Sequence, residues 1–261
     1  MILTIETLAF SLVTGIFVGI SAGYLGSLMV LEKMALVGDA LSHVALPGLA
    51  LGLLLHLDYP FLGAFAFLFA AAVIIWHVGR VTKLSFESIV GAVFTLALAI
   101  GILIMDKAEL LEALFGDITR VTLLHTIIAV VISVVAVFLT RIIYKKLVLG
   151  MISEELAISK GINIAGTNLL YLLLVSLIVS IGIEIVGTLL VGFLVIVPAA
   201  AAKNLSSNLL TYSVFSAVFG AISSFSGVLT SSYLSVQPGP MVVISGIIIF
   251  AATVIAKWRA K

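Results

Sequence analysis

The sequence contains no cysteine, which excludes disulfides and thiolate metal sites and leaves the redox compartment undetermined. Charge is scarce too: 10% of the 261 residues are Asp, Glu, Lys or Arg, against 63% hydrophobic. That balance describes an integral membrane protein with no room for a soluble domain. The chain has no G-x-x-x-x-G-K-[ST] phosphate loop, no dinucleotide glycine fingerprint and no H-E-x-x-H motif. It therefore has no means of its own to bind ATP through such a loop, and is not read as an enzyme. A net charge of +1 gives no reason to expect nucleic acid.

What is present is a series of long apolar runs, at 8–31, 35–56, 60–79, 86–105, 121–143, 166–183, 185–202, 209–231 and 239–257. With roughly 20 residues needed for each helical crossing, the expectation is one all-α polytopic unit over 1–261 with eight or nine transmembrane helices. The first run is too long for a signal-peptide core and is kept as a span. The weakest separation is between the sixth and seventh runs, where only 182–187 with Glu184 interrupts the apolar stretch. Gly15, Gly19 and Gly23 recur every four residues in the first run, a ridge without side chains that admits a neighbouring helix.

Basic residues test the nine-span threading, because cytoplasmic loops collect Lys and Arg. A cytoplasmic C-terminus and an outer N-terminus put Lys33, Arg80, Lys83, Arg141, Lys145, Lys146, Lys160, Lys203, Lys257, Arg259 and Lys261 inside. Lys107 and Arg120 remain outside, with Glu6, Asp58, Asp106, Glu109, Glu112, Asp117 and Glu184. The outer face is thus net negative and would concentrate cations.

Against this background the segment GDALSHVALPG, residues 38–48, stands out. Asp39 and His43 are four residues apart, so on a helix they share one face with about 6 Å of rise between them. Ionisable groups inside a span are costly and are functional-site hypotheses by default. A divalent ion gives both a partner, since carboxylate suits Mn²⁺ and imidazole suits Zn²⁺ and its neighbours. Pro47 and Gly48 weaken the helix just beyond, as at transporter ion sites built on broken helices. The bland alternative is that Gly38 breaks the chain, Asp39 caps a helix starting at Ala40, and His43 is an interior histidine.

The stretch GDALSHVALPGLALG resembles the signature of the membrane permeases of zinc and manganese ATP-binding-cassette transporters. VGTLLVGFLVIVPAAAAKNL, 186–205, resembles that family's later motif ending in Pro-Ala-Ala, and SEELAISKGINIAGTNLL, 153–170, its cytoplasmic segment that couples to the ATPase. The resemblance implies a homodimeric permease in the cytoplasmic membrane that receives a divalent metal from an extracytoplasmic binding protein. ATP hydrolysis would come from separate cytoplasmic ATPase subunits. It implies Asp39 and His43 as the transient metal pair, and a coupling segment at about 150–165 that includes Glu154, Glu155, Lys160 and Gly161. The residues support a short helix there, with Ser153 as its cap, acids at its start and Gly161 at its end.

Glu184, Asp117 and His125 are candidates for the path by which an ion reaches the pair from outside; helix-end solvation is the plainer account of each. Pro198 should bend the seventh span. No resident cofactor is expected, only a transported metal, Zn or Mn with Fe as a third option. Two other classes use the same residues: a gradient-driven secondary metal transporter or channel, and an intramembrane metalloenzyme, for which no third ligand or base is evident. A permease for metal chelates is the nearest alternative within the cassette class.

Overall fold

The computed structural model describes residues 5–32, 34–57, 61–82, 84–105, 111, 113–115 and 121–259. Asp117 lies outside them, as do Lys33, Lys83, Lys107, Arg120 and Lys261 and the acids Asp58, Asp106, Glu109 and Glu112. No strand occurs among the described residues. In lipid, a helix satisfies its own backbone groups, and so the apolar runs fold as helices. In chain order these are α1 (Ile5–Leu31), α2 (Ala35–Val44), α3 (Leu46–Leu54), α4 (Phe61–Val81), α5 (Phe86–Ile104), α6 (Leu123–Ile152), α7 (Glu154–Ser159), α8 (Ile164–Val186), α9 (Thr188–Leu205), α10 (Leu209–Leu234) and α11 (Pro238–Arg259). Among the described residues eight segments are long and apolar enough to cross a membrane, α2 and α3 counting together as Val37–Leu54.

The ridge on α1 packs as its spacing predicts, and its partner is α10. A Cβ placed on Gly19 would run into the Gly220 carbonyl, and one on Gly220 into that of Gly19. The two backbones are in direct contact, an approach the missing side chains permit. Hydroxyl groups tie the same bundle together where lipid offers no competing partner. Thr14 donates to Thr126 (3.0 Å), Ser27 to Ser213 (2.9 Å), and the Tyr171 hydroxyl to the Leu25 carbonyl (2.7 Å). Trp76 Nε1 donates to the Ala165 carbonyl at 2.7 Å, joining α4 to the start of α8.

The separation between the sixth and seventh apolar runs is real, and it takes a single residue. Gly187, at φ +83°, closes α8 and caps α9; a side chain is disfavoured in that region of backbone space. The turn lies deeper than a helix-end loop. Gly182 sits beside Val18, the midpoint of α1. Five residues of rise therefore put Gly187 about 8 Å past that midpoint, whereas the N-terminal tip of α1 is about 20 Å past it. Accordingly, α9 is short, and Pro198 lies inside it with the helix continuing to Leu205.

α7 forms as the sequence predicts. Ser153 Oγ accepts from the Leu156 amide at 3.2 Å, Glu154 and Glu155 occupy the first turn, and Gly161 follows at φ +73°. The Gly161 and Ile162 amides donate to the Ile158 and Ala157 carbonyls and close the turn.

Candidate metal site on a glycine-cradled helix

Asp39 and His43 both lie inside α2, on one face. The capping alternative fails: α2 begins four residues before Asp39, its N-cap is Met34, and no side chain caps it. The helix is interrupted at Ala45, between α2 and α3, nearly one turn earlier than Gly48 alone would place the break. The cause is Pro47, which has no N–H to return to the His43 carbonyl four residues back.

What holds the pair in place is α9. A Cβ on Gly192 would stand 2.5 Å from Asp39 Cα and 2.7 Å from its Oδ1, so α2 rests on α9 where α9 has no side chain. Just before Asp39 on α2, Gly38 abuts Val195 and the Met29 sulfur. The register is antiparallel: Gly38 against Val195, Asp39 against Gly192. Four residues along each helix on the same faces, His43 and Thr188 come level with one another. His43 is buried, its ring edge-on to Phe94 of α5 with centroids 5.5 Å apart, and its Nδ1 has no hydrogen-bond partner among the described residues. Thr188 is fully buried, and its hydroxyl is likewise without a partner among them. Each unpaired polar atom is expensive in a membrane interior, and an imidazole nitrogen without a partner is a candidate donor to a cation. Sequence reading missed Thr188 and Gly192; the only signal was their four-residue spacing.

Of the other sequence candidates, His125 lies away from this pair. His125 opens α6 at the end remote from α7, its amide bonded to the Thr122 cap at 3.4 Å. Its neighbour Thr126 meets Thr14, fifteen residues along α1 from Met29, which puts His125 about 20 Å in depth from Gly38. Glu184 belongs to the last turn of α8, two residues past Gly182, and so lies near the level of the middle of α1 rather than at the outer rim. Asp117 is outside the described residues. Among the described residues no three His, Cys, Asp or Glu side chains gather to hold a metal. One carboxylate and one imidazole on a single helix face fall short of the four protein ligands of a closed structural zinc site.

At the α7 end, Glu32 follows α1 and shares a cavity with Glu154, Asn168 and Met151. Burial there pushes its carboxyl up to about 7.

The sequence pattern of the ABC 3 transport family matches residues 4–257. The chain belongs to the ABC 3 transport family. Among relatives, the manganese transport system membrane protein MntC of Listeria monocytogenes is 31% identical over 251 residues, 94% of this chain and 89% of that one. The high-affinity zinc uptake system membrane protein ZnuB of Buchnera aphidicola is 28% identical over 258 residues, 97% of this chain and 98% of that one. In three dimensions this ABC 3 family chain is similar to PsaBC from Streptococcus pneumoniae, solved in complex with Fab. The TM-score is 0.84 at 30% identity, over 96% of this chain and 91% of that one.

Proposed function

We propose that the chain is the membrane permease of an ATP-binding-cassette importer whose substrate is a divalent metal ion, manganese or zinc, with iron(II) the third ion its donors suit. The observation that carries this reading is the Asp39–His43 face of α2, seated on Gly192, with the buried imidazole Nδ1 unpaired. The family membership and the manganese and zinc relatives point the same way. Asp39 supplies the charge that draws the ion from water, His43 a nitrogen donor, and Thr188 an oxygen at the same level. Water or the same pair from a second copy completes the shell in a homodimer. A transport site must release its ion, and a partial donor set suits that requirement.

Energy enters at α7. Leu156 and Ile158 are exposed on a helix that also presents Glu154 and Glu155, and apolar side chains rimmed by charge make a docking surface. Its occupant is a cytoplasmic ATPase subunit, with Lys160 and Gly161 closing the helix beside it. Arg80, Arg141, Lys145 and Lys146 cluster toward the same end, which supports a cytoplasmic position for it. The chain is then a multi-pass protein of the cytoplasmic membrane, served from outside by a metal-binding protein.

The test is uptake of manganese and zinc isotopes into vesicles containing this chain and its ATPase. Uptake should require ATP and be abolished by Asp39→Ala and by His43→Ala without loss of ATPase association. ATP-independent uptake would instead establish a gradient-driven transporter, and ATP-driven uptake indifferent to both substitutions would remove the site.

A further inference from the structure

A second feature lies on the opposite flank of α1, away from α2. There α1, α6 and α10 leave a groove of about 440 Å³ between them. Phe17 and Tyr24 form one wall, Val134 and Phe138 a second, and Val214 the third, with Arg141 at one end. Ser133 to Arg141 is eight residues of helix, about 12 Å, most of the ~15 Å depth of one leaflet's hydrocarbon. The floor is apolar, and none of the described residues lining it is acidic.

The charge at its mouth is specific. Val134, Phe138, Arg141 and Lys145 succeed one another at three- and four-residue intervals, so they form one stripe on α6. The stripe changes from apolar to cationic at Arg141, where α6 heads toward α7. Arg141, Lys145 and the adjacent Lys146 are all exposed. An apolar slot one leaflet deep, ending in a guanidinium and two ammonium groups, is complementary to an acyl chain beneath an anionic headgroup.

We propose that this groove is a binding site for an anionic phospholipid of the leaflet at the α7 end. The acyl chain lies along Val134 and Phe138, and the phosphate is held by Arg141 and Lys145. Charge also argues against a second copy of the chain as occupant. A membrane dimer with its two-fold axis along the bilayer normal sets residues of equal depth opposite one another. Arg141, Lys145 and Lys146 would then face their own duplicates. A lipid phosphate neutralises the same cluster.

The experiment is native mass spectrometry of the full chain taken from bilayers of mixed phosphatidylglycerol and phosphatidylcholine. The wild type should retain phosphatidylglycerol preferentially. Arg141→Gln and Lys145→Gln should each reduce that preference about fivefold, the effect of one cation near a headgroup, and Arg141→Lys should restore most of it. Val134→Trp, which fills the slot and leaves the charges in place, should exclude the lipid even if a charge variant fails to fold. Equal retention of the two lipids, or an unchanged preference in the Gln variants, would overturn the assignment. So would disulfide cross-linking between copies through Val134→Cys, a unique thiol in a chain that has none, because it would give the groove to a second copy.

Discussion

Replacing Gly192 with alanine isolates the cradle beneath Asp39. The new Cβ would stand 2.5 Å from Asp39 Cα and 2.7 Å from Oδ1, where even tight contacts begin near 3.0–3.4 Å. Oδ1 can swing aside but Asp39 Cα is backbone and cannot, so α2 must move off α9 by several tenths of an ångström. Overpacking of this kind costs about 1–3 kcal/mol, offset by the ~1 kcal/mol that alanine gains over glycine inside a helix. The net loss reaches about 2 kcal/mol at the upper end. Because it is concentrated at a metal donor, about 1.4 kcal/mol of it would weaken metal affinity tenfold. Two controls separate position from stability. Gly79→Ala, whose Cβ meets only Ile89 Cδ1 at 3.7 Å, should keep or raise Tm. Gly19→Ala clashes with the Gly220 backbone of α10, which does not carry a donor, and should lower Tm while leaving the metal concentration for half-maximal uptake unchanged. Gly192→Ala should lower Tm and raise that concentration about tenfold. If it matches Gly79→Ala in both readouts, the glycine contact does not position Asp39 and the cradle reasoning is refuted.

Glu32 makes stability depend on pH in a defined sense. Its folded pKa of about 7 lies above the ordinary value of 4.5, so the folded chain holds the proton more tightly. The contribution is complete below pH 4.5 and is lost as pH rises through about 7. Glu32→Gln should flatten the fall in Tm across that window, and superimposable profiles would show that the carboxyl is not desolvated. Ser153→Ala removes the cap of α7 and should cost that helix about 1 kcal/mol; co-purification with the ATPase should drop, and drop further with Glu154→Gln and Glu155→Gln together. Thr188→Val removes a hydroxyl that has no hydrogen-bond partner among the described residues. It should leave Tm unchanged or raised and weaken metal-dependent uptake, whereas unaltered uptake would take Thr188 out of the site.

Relations within a single helix were legible in the sequence, because spacing alone sets them. Asp39 and His43 share a face because they are four residues apart, and Gly15, Gly19 and Gly23 form a ridge for the same reason. Ser153, the paired acids and Gly161 outline α7 because caps are local chemistry. Which helix meets which was not legible. Gly192 is one of 22 glycines, and nothing in its neighbourhood marks it as the one beneath a carboxylate; its role emerges only once α2 and α9 are antiparallel and in register. Depth was misread for a related reason. Hydropathy places Glu184 at a break between apolar runs, and breaks are ordinarily rims. Yet α8 and α9 turn on the single residue Gly187 near the middle of α1, so the break lies inside the bundle.

The same packing explains how a site with few donors can be well placed without binding too tightly. In a closed metal site the ligands are held largely by the ion they share, and removing it loosens them. Here the position of Asp39 is set by backbone contact with Gly192, and that of Gly38 by Val195 and Met29. Those contacts are made without an ion. The helix is pre-organised by the absence of a side chain on its neighbour, and Asp39, His43 and Thr188 are free to be incompletely satisfied. Placement thereby depends on residues that are not themselves donors. Substitutions at Gly192 should weaken ion binding by moving Asp39, whereas substitutions at Thr188 should weaken it without moving Asp39.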